Sequence, residues 1–146
     1  MKKVIVVLAI LFVGILLAGC TTQPAAPATT PTPTAPAIPN IIGTWTGTMQ
    51  SYDEGTGFTD NPGENLSIVV TEQQGRIFSG NMIYPMNGTE KSEDIAGTIG
   101  RDGRTLTLVE KNGYSSGIIV SDNEIELTYM RDGLQFTTAV DSLMKV

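Results

Sequence analysis

Four turn-forming dipeptides, Asp102-Gly103, Asn112-Gly113, Asp122-Asn123 and Asp132-Gly133, fall ten residues apart in the second half of the chain. Pairs of this kind supply the positive φ angles of tight β-hairpins. An interval of ten leaves room for one short strand and its turn. Gln74-Gly75 and Asn87-Gly88 continue the pattern upstream. Between the turns apolar residues recur at every second position, and no stretch has a helical period. With a longer loop from Asp53 to Gly63, the breaks predict eight strands, at about 41–52, 64–73, 76–85, 91–100, 104–111, 114–121, 124–131 and 134–142. Consecutive strands joined by hairpins make a meander, and an open sheet would leave two unpaired edges that closure removes. The expected fold is all-β, an eight-stranded antiparallel up-and-down meander closed into a small barrel.

Alternation assigns the faces. The inward set is expected to be Trp45, Met49, Leu66, Ile68, Val70, Phe78, Met82, Tyr84, Ile95, Ile99, Leu106, Leu108, Ile118, Val120, Ile125, Leu127, Tyr129, Leu134 and Phe136. Thr44, Thr46, Thr48, Ser67, Thr105, Thr107, Glu124, Glu126 and Thr128 then face solvent. Gly47, Gly80 and Gly97, inside strands, suit the sharp coiling of a small barrel. The predominance of medium and large inward side chains predicts a filled lower half, with any cavity under the first loop.

The chain's start has a different character. Lys2 and Lys3 precede the uncharged apolar run Val4 to Leu17, and the small pair Ala18-Gly19 stands before Cys20, the only cysteine. Residues 1–19 have the layout of an export signal peptide. As a helix, Val4 to Gly19 would span only about 24 Å against a hydrocarbon core of roughly 30 Å, so a membrane span is disfavoured. Leu17-Ala18-Gly19-Cys20 resembles the lipobox of prokaryotic lipoproteins. The resemblance implies that the Cys20 sulfur receives a lipid and becomes the new first residue. It also implies a membrane partner through that lipid and an extracytoplasmic location. At ~0.8 kcal/mol per buried CH₂, two or three acyl chains anchor durably where one holds weakly.

Residues 20–39 then form the lipidated N-terminus and a Thr/Pro/Ala linker, too poor in apolar surface to fold and able to extend to about 60 Å. Its threonines are either sugar acceptors or part of an unmodified spacer, and both serve as a tether. Residues 40–146 form the barrel domain. With no other cysteine it has no internal disulfide and relies on its own core.

Ile42-Gly43-Thr44-Trp45-Thr46, opening the meander, resembles the Gly-x-Trp start of lipocalins, fatty-acid-binding proteins and avidins. Gly75 to Met82 is similar to an avidin strand reading Gly-x-Phe-x-Gly, with one residue extra before Phe78. The resemblance implies a calycin-type barrel whose tryptophan plugs one end, covered by a basic residue from the last strand. Lys145 is the available candidate. The avidin ligand site does not carry over: Gly47 stands where avidins have Asn, Met82 replaces a site tyrosine, and Ser51 alone matches. Biotin binding is not expected.

Composition excludes several chemistries. The chain has no histidine, removing the commonest general base, and no domain cysteine to act as nucleophile or thiolate ligand. The net charge of −6 becomes −8 once Lys2 and Lys3 leave with the signal, which argues against nucleic acid as a partner. No cofactor motif is present. What remains are carboxylates on the rim shared by the loops after strands one, three, five and seven. Asp53, Glu54, Asp60 and Glu64 would gather there with Glu90, Lys91, Glu93, Arg131 and Asp132.

Three readings compete for this rim: solvation of a loop, a lid over a small apolar pocket, and a calcium site from Asp53, Asp60 and Glu64. The last matches no calcium loop in spacing, so no metal site is expected. Ligand contact is expected from Trp45, Phe58, Tyr84 and Tyr129. Asn87 and Asn65 stand in glycosylation sequons, Asn87 being better placed in a turn.

The expected function is a lipid-anchored cell-envelope protein presenting the barrel as a non-enzymatic binding or interaction module. Its partner would be a small apolar ligand or another envelope protein. The alternatives are a structural lipoprotein with a filled barrel and a carboxylate-based hydrolase.

Overall fold

The computed structural model describes residues 36–86 and 88–146, with the backbone alone at residues 60–65 and 86. The signal peptide, Cys20, most of the linker, Asn87 and the side chains of Asp60, Glu64 and Asn65 therefore lie outside the described residues.

Eight strands follow one another: β1 (Gly43–Asp53), β2 (Gly57–Gln74), β3 (Ile77–Met86), β4 (Thr89–Ile99), β5 (Thr105–Val109), β6 (Tyr114–Ser121), β7 (Glu124–Arg131) and β8 (Thr137–Lys145). Each pairs antiparallel with the next, and β8 returns to pair with β1, from Trp45 opposite Lys145 to Asp53 opposite Thr137. No unpaired edge remains in the sheet, which is the free-energy reason for closure. The β2–β3, β4–β5 and β6–β7 turns share one end with residues 36–42 and the C-terminal residue Val146; the other four turns surround the opposite end.

The N-terminal residues 36–42 close the first end. Trp45, 1% exposed, donates its indole N–H to the Ile41 carbonyl at 2.9 Å, and Ile41 is itself buried. The Gln73 amide fixes this segment by accepting from Ile41 N at 2.9 Å and donating to Pro39 O at 2.8 Å. Lys145 Nζ lies 5.1 Å from the centre of the Trp45 ring. Gly43 makes that approach possible: its φ is +133°, and a Cβ there would stand 3.1 Å from Lys145 Cε. Arg76 and Arg104 brace the same end by donating to the carbonyls of Ile99 and Ile119. Above this floor Ile68, Ile99, Leu106, Leu108, Leu127 and Leu143 pack with essentially no exposure.

Three expectations about the strands need correction. The run Ile118-Ile119-Val120 faces the other way: Ile119 is buried, while Ile118 and Val120 are exposed. Three consecutive apolar residues carry no parity, and a register irregularity between Ile119 and Ser121 adds to the ambiguity. The last strand begins at Thr137, three residues later than expected, so Leu134 and Phe136 are exposed on the turn. Its inward residues are Ala139, Asp141 and Leu143. The long loop from Asp53 to Gly63 is instead a tight turn at residues 54–56, after which β2 starts at Gly57. The extra length is absorbed where the β1–β2 register slips between Thr48 and Gln50.

The strand glycines have the expected role. A Cβ at Gly47 or Gly80 would collide with the Ser142 or Val69 carbonyl across the sheet, as close strand approach in a small coiled barrel requires. Gly113 has a different reason from the one its turn dipeptide suggests. It lacks a positive φ, and a Cβ would stand 2.6 Å from both the Met130 carbonyl and the Tyr129 ring.

Candidate functional site

The packed interior stops midway up the barrel. Above it a cavity of about 300 Å³ opens toward the β1–β2, β3–β4, β5–β6 and β7–β8 turns. Met49, Leu66 and Met82 form its apolar base and walls, and Tyr84 and Tyr129 stand higher. Polar groups enter from five directions: Ser51 and Asp53 on β1, Glu93 on β4, Glu110 and Asn112 between β5 and β6, Arg131 on β7, and Thr137 and Asp141 on β8.

These groups sort into two sets. Near the mouth, the Thr137 hydroxyl accepts from Arg131 Nη2 at 2.6 Å and donates to Asp53 Oδ1 at 2.6 Å. The direct Arg131–Asp53 separation is 4.0 Å, so the threonine bridges a loose ion pair. Both charged groups are about one-third exposed, and a pair of this kind contributes roughly 0–1 kcal/mol. The Ser51 hydroxyl lies 3.2 Å from both Asp53 Oδ2 and Thr59 Oγ1.

Deeper lies the second set. Ser115, completely buried, donates to Glu110 Oε1 at 2.6 Å. Asp141 is 1% exposed, directly opposite Leu127 on β7 and Met49 on β1, and its Oδ1 has no hydrogen-bond partner. Burial, with the Glu110 charge adding to it, pushes the Asp141 carboxyl up to about 7. Burial also raises Glu110, partly offset by the Ser115 hydroxyl. Tyr84 and Tyr129 are raised as well, first by desolvation and then by neighbouring carboxylates. Among the described residues, one other buried side-chain polar atom lacks a partner, Arg131 Nε. No group of three acidic side chains among the described residues has the geometry to hold a metal ion.

The four residues expected to touch a ligand are thus divided. Tyr84 and Tyr129 line the cavity. Trp45 does not: it is sealed into the floor beneath the packed layer. Phe58, 90% exposed, sits outside the barrel, because its cross-strand partner Tyr52 alternates with inward Ser51 and Asp53. Its ring meets Tyr52 edge-on at 5.0 Å, and Tyr52 stacks on Phe136 at 6.0 Å, forming an aromatic cluster on the outer face.

The expected rim also divides. Asp53, Glu93 and Arg131 reach the cavity. Glu54 instead bonds the backbone of Phe136, and Glu90, Lys91 and Asp132 are exposed. Ser115, Glu110 and Asp141 are site residues that sequence reasoning missed. The signal for Asp141 is the series Thr137, Ala139, Asp141, Leu143, but the alternate series Thr138, Val140, Ser142, Met144 is equally apolar. Only pairing of Asp141 with inward Leu127 resolves the choice.

No family model matches the chain, and no curated protein matches it in sequence. Among solved structures it is similar to a redesigned β-barrel, with a TM-score of 0.52 and 10% identity, covering 72% of this chain and 90% of the other. That likeness shows the fold: a small closed antiparallel β-barrel.

Proposed function

We propose that this chain is a lipid-anchored cell-envelope protein whose barrel acts as a non-enzymatic binding module for a small molecule. The observation that carries the reading is the 300 Å³ cavity open at one end of an otherwise packed barrel, lined by a few polar groups on apolar walls. A barrel serving only as a structural spacer has no need of such a void, or of a partnerless carboxylate inside it. The sealed floor supports the calycin resemblance: Gly43, Trp45 and Lys145 stand together as the Gly-x-Trp opening implies.

The anchor reading rests on the lipobox at Leu17 to Cys20. Residues 36–42 run beneath the floor, so the chain joins the barrel at its closed end. A tether attached there leaves the mouth on the side away from the attachment, suited to a ligand taken from the surrounding medium.

Two experiments test this. In a prokaryotic host, labelled palmitate is expected in the wild type and to disappear in Cys20→Ser; labelling that survives the substitution removes the anchor. A thermal-shift screen of small molecules with the full-length protein in detergent is expected to raise Tm by several degrees for some compounds, without turnover. A screen with no stabilising compound hands the protein to the structural reading, and product formation hands it to the hydrolase.

A further inference from the structure

The charges facing the cavity do not balance. Four carboxylates line it, Asp53, Glu93, Glu110 and Asp141, against one cation, Arg131. Arg131 is already engaged at the mouth with Thr137 and Asp53. Among the described residues, Glu93, Glu110 and Asp141 have no basic partner in the cavity. The deepest of them is 99% enclosed, with an oxygen that no group among the described residues hydrogen-bonds. Burying a carboxylate in this way is costly unless a cation or donor completes it. The surrounding walls offer two tyrosine rings and two methionines, surfaces that accept an organic cation.

Resting on the binding-module reading, we propose that the cavity takes a small organic ammonium ion, an amine bearing one apolar or aromatic group, with its N–H donors on Asp141 and Glu110. The apolar group packs on Met49, Leu66 and Met82 between the rings of Tyr84 and Tyr129. A hard metal ion is a poorer occupant, since the acidic side chains do not converge on a point. Size limits the ligand: about 300 Å³ is the low end of small-molecule pockets, suited to a single ring.

The site makes a pH signature unavoidable. Asp141 is faced by Asp53 on β1, Tyr84 on β3, Glu93 on β4, Glu110 after β5, and Tyr129 and Arg131 on β7. With its carboxyl at about 7, Asp141 is partly protonated in the free protein at neutral pH. An arriving ammonium favours the carboxylate and expels that proton.

The test is calorimetry on the full-length protein in detergent micelles with three probes of one shape: 2-phenylethylamine, neutral 2-phenylethanol and anionic 3-phenylpropionate. Butylamine and choline extend the amine series. At pH 8 at least one amine is expected to bind tenfold or more tighter than the alcohol, with the anion not bound. Affinity should fall at least tenfold at pH 5.5, and at pH 7 two buffers of different ionisation enthalpy should reveal proton release. Asp141→Asn and Glu110→Gln should each weaken the amine tenfold or more while leaving the alcohol within twofold. Glu124→Gln, away from the cavity, should change neither. If the alcohol or anion binds as tightly as every amine, the cation assignment is wrong and the binding module survives. If no probe binds at millimolar concentration, both readings fall.

Discussion

The two halves of this barrel are built from the same strands on different terms. In the lower half the buried inward positions are apolar, and the polar groups that close it are paired: the Trp45 indole with Ile41, Gln73 with Pro39 and Ile41, and Arg76 with Ile99. In the upper half Ser51, Asp53, Glu110, Ser115, Arg131 and Asp141 point inward, and two of their atoms have no partner. Burial at the floor stabilises the fold, whereas burial of a carboxylate in the cavity opposes it. A costly arrangement maintained beside a well-packed one marks where folding and function have separate demands.

Substitutions can break or sharpen that contrast. Trp45→Ala removes the largest side chain of the floor, and a loss of about 3–5 kcal/mol is expected in urea unfolding. A loss under 1 kcal/mol would mean the floor is not the main source of stability.

Asp141→Asn should act in the opposite direction, deep in the cavity. The folded state holds this carboxyl at about 7 against an ordinary 3.8, so between those values the folded protein binds more protons than the unfolded chain. Stability from this group is therefore full below about pH 4 and declines as pH rises to about 7. The asparagine variant should match the wild type at pH 4 and exceed it by ~2–4 kcal/mol at pH 8. A difference independent of pH would show that Asp141 titrates normally.

Lys145→Met keeps the aliphatic stem over Trp45 and removes the charge. A loss of about 0.5–1 kcal/mol is expected, with a change in tryptophan emission because the ring loses its cation. No change in either would reduce Lys145 to a packing residue. Smallest of all, Phe58→Ser should shift stability by less than about 0.5 kcal/mol, since the ring is 90% exposed. A larger loss would show that the outer aromatic cluster holds the β1–β2 turn in place.

How far the sequence revealed these halves follows from their chemistry. The floor was legible: Trp45, Ile68, Ile99, Leu106 and Leu127 alternate with Thr and Glu, and a strand with one oily face has one register that buries it. Along Ile118 to Val120 and Thr137 to Lys145, both faces are similarly apolar and alternation decides nothing. The site lies partly in that second class. Tyr84 and Tyr129 were visible as inward aromatics, while Asp141 and Glu110 were hidden because an acid is expected outside, although Glu110 continues the inward series of Leu106 and Leu108.

The amino-acid sequence alone determined the number of strands and their antiparallel order. Those depend on turn dipeptides and two-residue periodicity, which act over a few residues. Where the packing stops, which carboxylates meet in the void and which aromatic faces outward were decided by the tertiary structure. Each depends on cross-strand register and barrel coiling, which bring together positions as distant in sequence as Met49 and Asp141.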